Sequence, residues 1–143
     1  MTLQERDALV SQLVLHEGLK RRPYRCTAGK LTVGIGRNLE DRDLSDAAIT
    51  LLVTEDIDEC EADLADHFAW FSKLDSIRQR ALLDLRFNLG PSRFRGFRKM
   101  LTALEAGDYG EAAAQMVDSD WATQVQRSRV TRLVAMLRTG QAA

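Results

Sequence analysis

Glu17 is the first residue whose setting suits it to chemistry. Val10, Leu13 and Val14 recur at helical spacing, and the same phase reaches Glu17, directly before a helix-ending Gly18. Glu17 is therefore expected to face inward. A carboxylate on an apolar face must be paired, or else its protonated form is favoured by desolvation. A carboxyl group with a raised pKa is what protonation of a glycosidic oxygen near neutral pH requires. The alternative is a helix-end glutamate that rotates into water. Thr32 is the second such residue. In Leu31-Thr32-Val33-Gly34-Ile35-Gly36 the apolar residues alternate with Thr32 and the glycines, so the pattern predicts a strand with Thr32 on an open, glycine-lined face.

The elements that must carry these groups follow from periodicity and punctuation. Pro23 to Cys26, a turn at Thr27-Ala28-Gly29-Lys30 and the strand from Leu31 predict a hairpin. A long helix is expected from near Ser45, with a stripe of Ile49, Leu52, Val53, Ile57, Cys60 and Leu64. Beyond it the chain reads as helix throughout. Segments are expected at 75–89, ended by Gly90-Pro91, at 93–105 with Phe94, Phe97, Met100, Leu101 and Leu104 inward, at 108–117, around Trp121 and at 128–138. There is no internal repeat or low-complexity tract.

The 143 residues fit one domain able to bury a core without disulfide or metal staples. A formal charge of −1 favours no class of partner, but its distribution is uneven. Lys20, Arg21, Arg22, Arg25, Lys30 and Arg37 follow one another with no acid between them, whereas Glu55 to Asp66 holds seven acids and no base. These stretches are either solvated faces or, for the basic one, the border of a site for an anionic polymer such as nucleic acid or peptidoglycan. Cys26 and Cys60 lie in no metal-like spacing, so both are expected as free thiols, with no metal and no cofactor. The first eighteen residues lack the apolar run of a signal peptide, and no segment reads as a membrane span or stable membrane anchor.

Glu17-Gly18, Tyr24, Cys26 and Thr32-Val33-Gly34-Ile35-Gly36 resemble the active-site signature of the phage-type lysozymes, glycoside hydrolases known from the T-even phages. Their motif is a glutamate, eight residues, an aspartate or cysteine, five residues and a threonine, which Glu17, Cys26 and Thr32 fit without adjustment. The likeness continues through 74–78, Phe87-Asn88-Leu89-Gly90, Gly96-Phe97, Trp121, Arg129, Arg132 and Arg138-Thr139-Gly140. It implies an α+β, predominantly α-helical fold in one lysozyme-like catalytic domain. A hairpin lobe of about 1–44, a connecting helix of about 45–66 and a helical lobe of about 67–143 would hold the glycan in a cleft between lobes. It also implies muramidase activity on bacterial peptidoglycan, with Glu17 as general acid and Cys26 and Thr32 directing nucleophilic attack. Asn88 would be a substrate contact, and Arg129 would pair with the catalytic glutamate. The resemblance further implies a monomer without nucleic acid as partner. Made in the host cytoplasm, it would act at the cell wall after a holin-like protein permeabilises the membrane.

Other readings of the same residues stand beside this one. Asn88 near a helix end also reads as a cap, Arg129 as a solvated terminal-helix residue, and Cys26 as a small buried packing residue. A lytic transglycosylase uses one glutamic acid but needs no water-directing partner, which Cys26 and Thr32 would otherwise supply. A non-catalytic wall- or nucleic-acid-binding helical module would use Arg93, Arg95, Arg98 and Lys99. These, however, alternate with Phe94, Phe97 and Met100 in the manner of a core helix with a basic outer face.

Overall fold

A computed structural model describes residues 1–143. The chain forms two compact units, Met1–Leu51 and Leu52–Ala143, with the boundary inside a long helix.

The first unit opens with α1, Leu3–Glu17. Thr2 accepts from the Glu5 amide while the Glu5 carboxylate accepts from the Thr2 amide, a reciprocal cap that satisfies two otherwise orphaned donors. At the other end the Gly18 amide donates to the Val14 carbonyl. Three antiparallel strands follow in the order β1-β2-β3: β1 Lys20–Arg25, β2 Leu31–Gly34 and β3 Arg37–Asn38. The predicted hairpin is present, and β3 is an addition to it. Tyr24 pairs with Thr32 and Thr32 with Asn38, so Thr32 lies at the centre of the sheet. β1 is irregular between Lys20, which pairs with Gly34, and Tyr24.

α2, Asp46–His67, is the expected long helix. Of its predicted stripe only Cys60 and Leu64, in the C-terminal half, are buried. The core of the second unit is built from α3 (Ser76–Leu89), α4 (Pro91–Arg95), α5 (Arg98–Glu105), α6 (Tyr109–Val117) and α8 (Arg127–Thr139). Leu64, Leu82, Leu85, Phe94, Met100, Leu104, Met116 and Leu137 are its fully enclosed large side chains. A single helix over 93–105 was expected; the chain instead breaks at Gly96-Phe97 into α4 and α5, a turn that buries Phe94 and Met100 while Phe97 packs at the edge. α7, Asp120–Gln124, carries the buried Trp121. Gly90, with φ +76°, both ends α3 and precedes Pro91 at the first position of α4, a left-handed backbone that favours glycine. No helix is long and apolar enough to cross a membrane.

Candidate active site

The sheet of the first unit brings Cys26 and Thr32 together. Cys26 opens the turn after β1: its amide donates to the Lys30 carbonyl at 3.0 Å and its carbonyl accepts from Gly29 at 2.8 Å. The thiol is half-buried. Backbone N–H groups of Lys30 and Ala28, together with the Thr32 hydroxyl, favour its ionised form and hold its pKa below the ordinary value against a smaller opposing effect of burial. Cys26 is thus an activatable thiol in a cradle of donors. Cys60 is the opposite case, a buried thiol on α2 whose pKa burial pushes up.

Thr32 is only 4% exposed, and its hydroxyl donates to the Lys30 carbonyl at 2.9 Å. The open face expected for it is closed. Tyr24 on β1 and Asn38 on β3 flank it, so a residue in the middle strand is covered from both sides. A threonine hydroxyl carries one proton and two lone pairs. Its proton is directed to the Lys30 carbonyl, and the same hydroxyl lies within reach of the Cys26 sulfur.

Glu17 departs from expectation in burial. α1 has no buried residue: Val10 is 50% and Leu13 41% exposed, and Glu17 itself is exposed. The expected helix is present, but the face that carries Glu17 is not covered. Its Oε2 lies against Gly36, where an added Cβ would approach to 3.4 Å. Gly36 has φ +71°, which turns the chain from β2 into β3 and keeps backbone without a side chain beside the acid.

The remaining two expected residues lie in the second unit. Asn88, near the end of α3, accepts from the Trp121 indole N–H through Oδ1 at 2.7 Å, leaving its amide NH₂ exposed. Arg129 on α8 directs Nε and Nη2 to the Asp84 carboxylate at 2.9 and 2.5 Å. Its carboxylate partner is therefore on α3, where sequence reasoning expected Glu17.

Asn38, Glu40 and Asp41 support the cysteine turn and were not singled out from sequence. Asn38 accepts from the amides of Glu40 and Asp41, Glu40 accepts from the Leu31 amide and pairs with Arg25, and Asp41 pairs with Lys30 at 2.9 Å. The Leu31 amide, then Arg25, hold the Glu40 carboxyl below its ordinary pKa; Lys30, then Asn38, do the same for Asp41. An asparagine followed two and three residues later by acids is a legible Asx turn, and that signal was available.

A carboxylic acid at the end of α1, an activatable thiol in the turn after β1 and a buried hydroxyl on β2, in a chain whose second unit is helical, fit a lysozyme-like glycoside hydrolase. Residues 14–137 match the phage lysozyme family, and the chain belongs to it. Probable T4-type lysozyme 2 of Dictyostelium discoideum is 27% identical, with 94% of this chain and 95% of that protein aligned. Probable T4-type lysozyme 1 of the same organism is 24% identical over 94% and 95%. The pre-baseplate central spike protein Gp5 of Enterobacteria phage T4 is 26% identical over 93% of this chain, which corresponds to 28% of the spike protein.

Proposed function

We propose that the protein is a muramidase, one catalytic domain that hydrolyses the β-1,4 bond between N-acetylmuramic acid and N-acetylglucosamine in bacterial peptidoglycan. The observation that carries the reading is the Cys26 thiol beside the Thr32 hydroxyl, at the family spacing from Glu17. Protonated Glu17 gives its proton to the glycosidic oxygen as the bond from that oxygen to the anomeric carbon breaks. Bound substrate covers the exposed Glu17 carboxyl and excludes water from around it. The Cys26 thiolate accepts a proton from a water attacking the opposite face, so the product anomer is inverted. Thr32 steadies the thiolate through its hydroxyl. Asn88 offers its free amide donors to the glycan, and Arg129, held by Asp84, borders the substrate.

In this reading the enzyme works as a monomer without nucleic acid, and lysis of an infected host is its role. It waits in the cytoplasm until a holin-like protein opens the membrane. The test is digestion of purified peptidoglycan with product analysis by mass spectrometry, using wild type and Glu17→Gln. Reducing muramic ends from wild type, and a loss of at least about a hundredfold in the variant, are expected for a general acid. Anhydro-muramic ends would replace hydrolysis by transglycosylation. A variant keeping more than about a tenth of the activity would remove Glu17 from the acid role.

A further inference from the structure

We infer that Lys20, Arg21 and Arg22 form a carboxylate-reading strip, by which the enzyme distinguishes glycan strands with free stem-peptide carboxylates from strands in which these are amidated. The inference rests on the muramidase reading and adds a preference within that substrate class. The charge of the sheet is not left uniformly to solvent. Arg25 is matched by Glu40 and Lys30 by Asp41, both acids drawn from the segment after β3. Lys20, Arg21 and Arg22 are exposed and make no ion pair or side-chain hydrogen bond. Three consecutive bare cations thus occupy the first half of an edge strand.

Their position gives them a ligand. β1 begins three residues after Glu17, and Lys20 pairs with Gly34, two residues from the Gly36 that lies against the Glu17 carboxylate. A polymer bound at Glu17 therefore passes these cations. The glycan backbone is neutral; the anionic groups of peptidoglycan are the carboxylates of its peptides, whose pKa values near 4 leave them charged at pH 7. From Lys20 to Arg22 the strand spans about 7 Å, and charges are screened beyond about 8 Å at physiological salt. The strip therefore acts on groups in or near contact. Lys20 and Arg22 share a strand face; exposed charge pairs are individually weak, and the strip as a whole changes binding about tenfold, or about 1.4 kcal/mol.

The test uses the full-length Glu17→Gln protein, which leaves the polymer uncut, in pelleting assays. The probes are purified sacculi stripped of phosphate polymers with hydrofluoric acid, either untreated or amidated with carbodiimide and ammonia. Binding about tenfold tighter to the untreated sacculi is expected. Adding K20Q, R21Q and R22Q should erase the difference, whereas R127Q, R132Q and R138Q, which remove the same charge from the exposed side of α8, should leave it. Circular dichroism melts check that each variant is folded. Equal binding to the two sacculi overturns the inference. So does a preference that survives the β1 substitutions, or one that the α8 substitutions abolish equally. Failure of the muramidase reading is separate: it appears as absence of muropeptide release by the wild-type protein from either substrate.

Discussion

At the scale of single residues the two cysteines are expected to behave differently, Cys26 in catalysis and Cys60 in packing. The two thiols differ in what surrounds the sulfur: backbone amides and a hydroxyl at Cys26, burial at Cys60 that outweighs the nearby Arg86 guanidinium. Because the Cys26 pKa is lowered, its thiolate appears at a lower pH than that of an ordinary cysteine, so alkylation at neutral pH should strike Cys26 first and abolish activity. Cys60→Ser should be nearly silent in the same assay. Cys26→Ala should be severely impaired, whereas Cys26→Asp should retain substantial activity, because a carboxylate at the turn is a ready base. A fully active Cys26→Ala would end the catalytic claim. Thr32 supplies a finer check. Thr32→Val keeps shape but removes a donor to the sulfur, so the pH midpoint of iodoacetamide labelling should rise, and Thr32→Ser should restore it. A midpoint indifferent to both substitutions would show that the backbone amides alone hold the thiolate.

Elements are held in place by polar groups that periodicity does not reveal. In the first unit the turn at Asn38, Glu40 and Asp41 fixes the strands on which Cys26 and Thr32 stand. Both acids have folded pKa values below their ordinary ones, so their contribution is complete above the unfolded carboxyl range near 4 and is lost as pH falls through the lower folded values. In the second unit Asp63 on α2 accepts from Arg86 on α3 at 2.6 Å and from Arg95 on α4, with His67 at 3.2 Å. Burial opposes ionisation of Asp63, but the hydrogen bond and charge of Arg86, with Arg95 and His67, outweigh it and lower its pKa. Arg86 is 5% exposed. Asp63→Asn would leave that buried charge with only the exposed Glu59, at 3.3 Å, as carboxylate partner, and a loss of about 3 kcal/mol is expected in urea denaturation. Arg86→Leu should cost less, because Asp63 keeps Arg95 and His67. Equal losses from the two variants would contradict the asymmetry. The helices themselves were legible because their apolar spacing and caps are local: Asp75 caps α3 and Asp108 caps α6 within a residue of where the pattern begins. The ion network was not legible, since it joins residues 23 and 32 positions apart that no local pattern connects.

For the molecule as a whole, the sequence disclosed which residues are apolar but not which apolar faces are covered. The hairpin, the long helix and the spacing of Glu17, Cys26 and Thr32 were read from turn residues and motif. The burial assigned to Glu17 and the openness assigned to Thr32 were not, because coverage depends on neighbours distant in sequence. The outcome is uneven. Every buried apolar side chain belongs to the second unit, and Thr32 is the only buried residue of the first. Hydrophobic burial contributes about 25 cal/mol per Å² of apolar surface, so the second unit has a cooperative core while the first relies on caps, ion pairs and strand hydrogen bonds that solvent can replace. Local opening should therefore require much less free energy in α1 and β1–β3 than in α3, α6 and α8. Native-state hydrogen exchange followed by mass spectrometry tests this directly. Amides of Leu82, Leu85, Met116 and Leu137 should exchange only through global unfolding and respond to denaturant with the full unfolding slope, whereas those of Leu31, Thr32 and Val33 should exchange through smaller openings with a shallow slope. Saturating a Glu17→Gln variant with peptidoglycan fragments should slow exchange selectively in the first unit, because a ligand that binds only the closed state raises the cost of opening it. Protection of the sheet equal to that of the second unit in the free protein would refute this division of stability.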